Sequence, residues 1–141
     1  MNKKILIVLA NYYKDISDGL LSSALKNIPK ASHVKIIRVP GVFEIPVTIS
    51  KNIKKFDAFL ALGCVIKGQT PHFDFISQAS TNAIMDISVS QKKPIGNGII
   101  TCLNMKQAKA RKKKGAEAAK ALISILSQKW GLILTQIRIQ E

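Results

Sequence analysis

The chain has 141 residues, with 22 Lys and Arg against 8 Asp and Glu, and 47% of its residues are apolar. That length suits one domain around a single core, and the apolar fraction excludes an intrinsically disordered chain. A formal charge of +14 calls for anionic partners, yet only Arg38, Arg111 and Arg138 are arginines, so most of the surplus lacks the forked guanidinium that reads base edges.

At the N-terminus, Lys3 and Lys4 followed by an apolar run over residues 5–10 imitate a signal peptide. The run is too short, and Asn11, Tyr12, Tyr13, Lys14 and Asp15 follow it directly, so a buried first strand over residues 4–9 is the better reading. Further strand-length runs rich in Ile, Val and Leu cover residues 34–39, 58–66 and 98–103. Their lack of alternation predicts strands buried on both faces. Helical spacing separates them. It is carried by Ile16, Leu20, Leu21, Ala24 and Leu25 in the first helix, by Ile45, Ile49 and Ile53 in the second, and by Phe75, Ile76, Ala79, Ala83 and Ile84 in the third. Two more helical stretches, residues 105–113 and 116–129, are divided near Gly115. Strand and helix therefore alternate, which predicts an open parallel α/β sheet. Residues 130–141 read as an extra strand or a tail within the same domain. No run is long enough to span a membrane. Cys64 and Cys102 have no close partner in sequence, which predicts reduced thiols and a cytoplasmic protein.

In such a sheet, ligands sit beyond the carboxyl ends of the strands, which directs attention to loops 10–15, 39–46 and 66–74. In the third loop, Thr70 reads as an N-cap and Pro71 as a first-turn proline. Free amides at that helix start suit a phosphate or an oxyanion. His72 stands beside them, placed to exchange protons. A histidine that only caps or packs is the plainer alternative, and His33, ahead of a strand, reads as a surface residue. Glu44 opens the second helix, either complementing its dipole or accepting hydrogen bonds from a polyol. Tyr12 and Tyr13 offer an aromatic face for a planar ligand, or ordinary packing. Residues 106–114 hold six Lys or Arg and no carboxylate, an imbalance that fits phosphate binding around Arg111 or a plain basic surface. Gly96 and Gly98 lack the third glycine of a dinucleotide fingerprint, no phosphate-loop motif occurs, and the histidines and cysteines have no metal-ligand spacing.

Four ordered segments carry a resemblance to a known family: Val-Pro-Gly-Val-Phe-Glu-Ile-Pro over residues 39–46, Ala-Leu-Gly-Cys-Val-Ile-Lys-Gly-Gln-Thr-Pro-His-Phe-Asp over 61–74, Pro-Ile-Gly-Asn-Gly-Ile-Ile-Thr over 94–101, and Gln-Ala-Lys-Ala-Arg over 107–111. Together they resemble the lumazine synthases. The resemblance implies a three-layer α/β fold, a four-stranded parallel sheet with helices on both faces in a flavodoxin-like topology. It implies condensation of 5-amino-6-(D-ribitylamino)uracil with 3,4-dihydroxy-2-butanone 4-phosphate to 6,7-dimethyl-8-ribityllumazine, with no metal or redox cofactor. By the same resemblance His72 transfers protons, and Tyr12, Val42, Phe43, Glu44, Val65, Ile66, Asn97 and Lys114 hold the ring and ribityl chain, Lys114 by reaching the pyrimidine carbonyl. Gln69, Thr70 and Arg111 bind phosphate. Asn97, Arg111 and Lys114 come from the neighbouring subunit of a homopentamer. The chain departs from the family pattern at Asn11 and Lys67, where arginine is common, and at Asn97, a position often aromatic. The stretch between Arg111 and Gly115 is short, which favours a pentamer over a larger shell. Small molecules are the expected partners, not nucleic acid or membrane. A ligand-binding relative without turnover and a basic nucleic-acid-binding α/β domain are the rival readings.

Overall fold

Branched and large apolar side chains dominate two segments, and these become the middle of the sheet. In the computed structural model, which describes residues 2–128, they are β1 (Lys4–Ala10) and β3 (Ala58–Ile66), buried almost throughout on both faces. β2 (His33–Val39) and β4 (Ile95–Cys102) flank them in the order β2-β1-β3-β4, every pair parallel. The tail anticipated over residues 130–141 lies outside the described residues.

The strand order also decides which helix covers which face. The chain steps outward from β1 to β2 through α1 (Lys14–Leu25), then back across through α2 (Ile45–Lys51) to β3 and onward through α3 (His72–Gln91) to β4. Right-handed crossovers in opposite directions deposit helices on opposite faces. α5 (Lys114–Leu126), after the short α4 (Met105–Ala110), returns beside α1. One core layer packs Ile5, Ile7, Leu9, Leu60 and Leu62 against Ile16, Leu20, Ala119 and Leu122. The other packs Leu6, Val8, Phe59 and Ala61 against Ile45, Ile49 and Ile84. Each fully buried Leu, Ile, Val or Phe side chain among them contributes about 1.5–3 kcal/mol.

Three sequence expectations need correction. Burial on both faces holds for β1 and β3 alone: β2 is exposed along most of its length, including Val34 and Ile36, and β4 alternates. The edge strands carry the same Ile and Val runs, but each has only one neighbouring strand. β4 also starts three residues earlier than residue 98, taking in Gly96 and Asn97. A Cβ at Gly96 would lie 2.6 Å from the Ala118 carbonyl oxygen and 2.8 Å from Leu60 Cδ1, so the glycine is a contact point for α5. On α3 the apolar positions do not all face inward: Ile84 is buried, whereas Phe75 and Ala79 are exposed.

Gly115 does not divide the last two helices. It is the second residue of α5, and the break falls at residues 111–113. A Cβ there would come within 2.0 Å of the Leu20 carbonyl oxygen and 2.6 Å of Ser23 Oγ, so the missing side chain lets α5 lie directly on α1. Ser23 completes the junction, donating to the Lys112 carbonyl at 2.9 Å and accepting from the Ala116 amide at 3.1 Å. These contacts reverse the sign of a common substitution. Gly→Ala at an open helix position stabilises by about 1 kcal/mol; Gly115→Ala is expected to destabilise by roughly 1–3 kcal/mol, read as a lower urea midpoint with an unchanged slope.

Candidate active site

The β1–β3 ladder ends at Leu9 opposite Leu62, but β3 runs on to Ile66, paired only with β4. Those four further residues extend about 13 Å beyond the point where strand order reverses, the usual place for a ligand crevice. A cleft of about 690 Å³ opens there, lined by Tyr12, Val42, Phe43, Glu44, Val65, Ile66, Thr70 and His72 among others. Eight of the twelve anticipated site residues thus meet in one cavity.

Each wall has a local cause. On the β1 side, the Asn11 amide donates to the Val39 carbonyl at 2.8 Å, and Arg38 Nη1 donates to Asn11 Oδ1 and Asp18 Oδ1, both at 3.0 Å. Lys14 and Arg38 hold the Asp18 carboxyl below the usual carboxylate range by hydrogen bonding to it. The turn so anchored presents Tyr12, 75% exposed, edge-on to Tyr13 with ring centroids 4.9 Å apart. Tyr13 also lines the cleft; burial is the main cause of its raised phenol pKa, with Tyr12 and Cys64 adding to it.

The β2 side begins with extended Gly41 and a single 3-10 turn, Val42–Glu44, that runs straight into α2. Val42 is buried and Phe43 exposed. Val42 rests on β3 because residue 63 is glycine: a Cβ there would meet Val42 Cγ2 at 2.8 Å. Glu44 stands immediately before α2 with no capping hydrogen bond from its side chain. Among the described residues it is the one carboxylate on the cleft lining, which contains no lysine or arginine.

The third wall corrects the cap assignment. α3 starts at His72, with Pro71 as its N-cap residue and no side-chain cap, so Thr70 lies two residues ahead of the helix. The amides of Asp74 and Phe75 bond to the Pro71 carbonyl, while those of His72 and Phe73, in the first turn, have no intrahelical partner. Thr70 and His72 line the cleft, but Gln69, exposed on the same turn, does not. Phe73, Phe75 and Ile76 add an apolar border. Helical spacing marks Phe75 and Ile76 as apolar positions but does not tell a core face from a cleft face: Ile76 packs against the core as well as bordering the cleft, whereas Phe75 is exposed.

Arg111, Lys114 and Asn97 lie apart from this cavity. Arg111 and Lys114 line a second, smaller depression with Thr101, Lys113 and Glu117, and Asn97 is exposed on β4, where its Oδ1 accepts from the Ile99 amide at 3.0 Å. Arg111 ends α4, whose start is closed by a reciprocal cap. Asn104 Oδ1 accepts from the Gln107 amide at 2.9 Å, and Gln107 Oε1 accepts from the Leu103 amide at 2.8 Å, a variant of the capping box in which the returning bond reaches the residue before the N-cap. Arg111 Nη1 donates to the Thr101 carbonyl at 3.2 Å, and Lys114 lies 3.8 Å from Glu117. Within one chain, the apolar cleft and the cationic cluster are separate surfaces. Among the described residues, no group of three His, Cys, Asp or Glu is placed to hold a metal ion, and no helix is long and apolar enough to cross a membrane.

A family model described as 6,7-dimethyl-8-ribityllumazine synthase matches residues 2–129. Among curated proteins the chain is similar to 6,7-dimethyl-8-ribityllumazine synthase 1 of Rhodopseudomonas palustris, 42% identical over 136 residues, covering 87% of this chain and 83% of that protein. It is 42% identical over 139 residues to the enzyme of that name from Methylorubrum populi, covering 89% of this chain and 82% of the other. It is 43% identical over 138 residues to the one from Bartonella bacilliformis, covering 89% and 91%.

Cys64, at the cleft floor, is buried beside Cys102, and burial is the main cause pushing its thiol up to about 12. Thiolate is the reactive form. Native protein at pH 8 is therefore expected to react with iodoacetamide far more slowly than urea-unfolded protein, with both cysteines labelling only on unfolding; equal rates would contradict that burial.

Proposed function

Because the chain belongs to the 6,7-dimethyl-8-ribityllumazine synthase family, we propose that the cleft at the end of β3 is where its two substrates meet. The protein is a transferase of riboflavin biosynthesis. It condenses 5-amino-6-(D-ribitylamino)uracil with 3,4-dihydroxy-2-butanone 4-phosphate to give 6,7-dimethyl-8-ribityllumazine, phosphate and water.

Tyr12 stacks on the pyrimidine, and Val42, Phe43, Val65 and Ile66 enclose its edges, with Glu44 accepting hydrogen bonds from the ribityl hydroxyls. The phosphate occupies the turn of Gln69 and Thr70 at the start of α3. The 5-amino group attacks the ketone carbon, and loss of water leaves an imine. His72 then moves protons along the four-carbon unit. Elimination breaks the C–O bond to phosphate, whose negative charge needs cationic neighbours. The ribitylamino nitrogen closes the second ring with loss of a further water. Holding both reactants in contact converts a bimolecular encounter into an intramolecular one and supplies much of the rate.

The observation that carries a shared site is the separation of charge. Among the described residues the cleft has the aromatic, carboxylate and histidine groups but no lysine or arginine, while Arg111 and Lys114 lie in another depression of the same chain. A phosphate in the cleft therefore needs cations from a second copy. We propose a homopentamer, without a larger shell, in which Arg111, Lys114 and Asn97 of one subunit face the cleft of the next. Each closed ring then repeats one heterologous contact. The proposed setting is the cytoplasm, where Cys64 and Cys102 stay reduced.

Lumazine formation from both substrates, followed by absorbance on protein of known oligomeric mass, tests this reading. His72→Ala is expected to lower kcat by about 10²-fold while leaving binding of the pyrimidine intact. Arg111→Ala is expected to raise KM for the sugar phosphate by roughly 10- to 100-fold, the loss of one charge-assisted hydrogen bond. Random mixing of equal amounts of the two variants within pentamers should restore about a quarter of wild-type activity, since one interface in four pairs an intact His72 with an intact Arg111. No recovery in verified mixed oligomers rules out a shared site.

A further inference from the structure

The excess charge is not confined to the site. At the opposite pole, where the strands begin, four chain segments converge: the start of β1, and the α1–β2, α2–β3 and α3–β4 connections. They touch one another. The His33 amide donates to the Lys3 carbonyl, the Asp57 amide to the Lys4 carbonyl and the Phe59 amide to the Pro94 carbonyl, and Lys93 Nζ donates to the carbonyls of Ile53 and Phe56. These segments and the helix ends beside them carry Lys3, Lys4, Lys26, Lys30, Lys51, Lys54, Lys55, Lys92 and Lys93, nine lysines in all. Asp57 is the one carboxylate on the same segments, and the Lys4 backbone amide already donates to it at 2.8 Å. None of the nine lysines forms an ion pair among the described residues.

Local structure accounts for part of this. Lys26, Lys51 and Lys92 sit at helix C-termini, where a cation complements the dipole, and Lys93 ties two loops together. Lys3, Lys4, Lys30, Lys54 and Lys55 have no such role and are exposed. Four parallel strands span only about 15 Å, so these side chains repel one another within a Debye length of about 8–10 Å. We propose that this pole binds the phosphate backbone of a nucleic-acid duplex without reading its sequence.

The chemistry favours that partner over others. A diffuse field of lysines with, among the described residues, no arginine and no enclosing pocket does not recognise a single carboxylate or phosphate. It gains most from a polyanion that releases condensed counterions, and a duplex carries one charge per about 1.7 Å. The exposed aromatic residues Tyr12, Phe43 and Phe75 all lie at the other end of the sheet. The described residues of this pole therefore lack both the stacking platform of a single-strand binder and the aromatic anchors that join a basic patch to a membrane interface.

The test is fluorescence anisotropy of a fluorescein-labelled mixed-sequence 20-base-pair duplex, titrated with the full-length protein between 50 and 300 mM KCl. Log affinity should fall linearly with log salt. The variant Lys30→Glu/Lys54→Glu/Lys55→Glu should bind at least tenfold more weakly at 50 mM, with the slope reduced by roughly 2–3, and with lumazine formation and thermal midpoint unchanged. Three outcomes overturn the proposal: no duplex binding at 50 mM KCl, an equal loss in the charge-matched variant Lys106→Glu/Lys109→Glu/Lys120→Glu, or binding to phosphatidylserine vesicles in preference to the duplex. Because duplex binding and lumazine formation are read separately, failure of one leaves the other standing.

Discussion

The length of β3 beyond its ladder with β1 is the constraint on which the site depends. A central parallel strand is buried on both faces, and its carboxyl end becomes a ligand site only where its neighbours stop early or turn away. Here β1 stops at Ala10 and turns into Tyr12 and Tyr13, β2 turns at Pro40 into the 3-10 segment, and α3 starts six residues after β3 ends. Val65 and Ile66 are therefore left as the floor between three turns. Gly63 is the hinge of this arrangement, since any side chain there would lift Val42, and with it Phe43 and Glu44, away from the strand.

A second constraint is close packing of helices through residues that lack side chains. Gly96 admits α5 to the sheet and Gly115 admits it to α1, and Ser23 then satisfies both sides of the break between α4 and α5. That junction determines where Arg111 and Lys114 emerge. The basic cluster is consequently displayed at the β4 edge, away from the chain's own cleft, and the separation of cleft from cations follows from backbone packing before any ligand is considered.

Charge is distributed with the same polarity as the fold. The site end mixes signs, with Asp15, Asp18, Glu44, Asp74 and Glu117 near Lys14, Arg38 and the 106–114 cluster. Among the described residues, the charged side chains of the strand-start pole are lysines with the single exception of Asp57. Because the loops of a parallel sheet alternate between the two poles, a chain that places cations in every second connection gathers them on one surface, although they are scattered in sequence.

The amino-acid sequence by itself determined the element order, the two central strands and the loops that carry chemistry. Uninterrupted Ile, Val and Leu runs, 3.6-residue spacing and the motifs at residues 39–46 and 61–74 are local signals, each legible without knowledge of its neighbours. It also singled out Tyr12, Glu44 and His72 from their place after strands or at helix starts. What it misjudged depended on non-local partners. Thr70 and Pro71 read as cap and first turn one residue too early; Gly115 read as a break, whereas it is a contact; the spacing that includes Phe75 did not show that this residue borders a cavity. Only the tertiary structure decided that Arg111 and Lys114 stand apart from the cleft and that nine scattered lysines share one pole. Both facts concern distances across the fold, which strand order and helix packing fix and linear spacing does not encode.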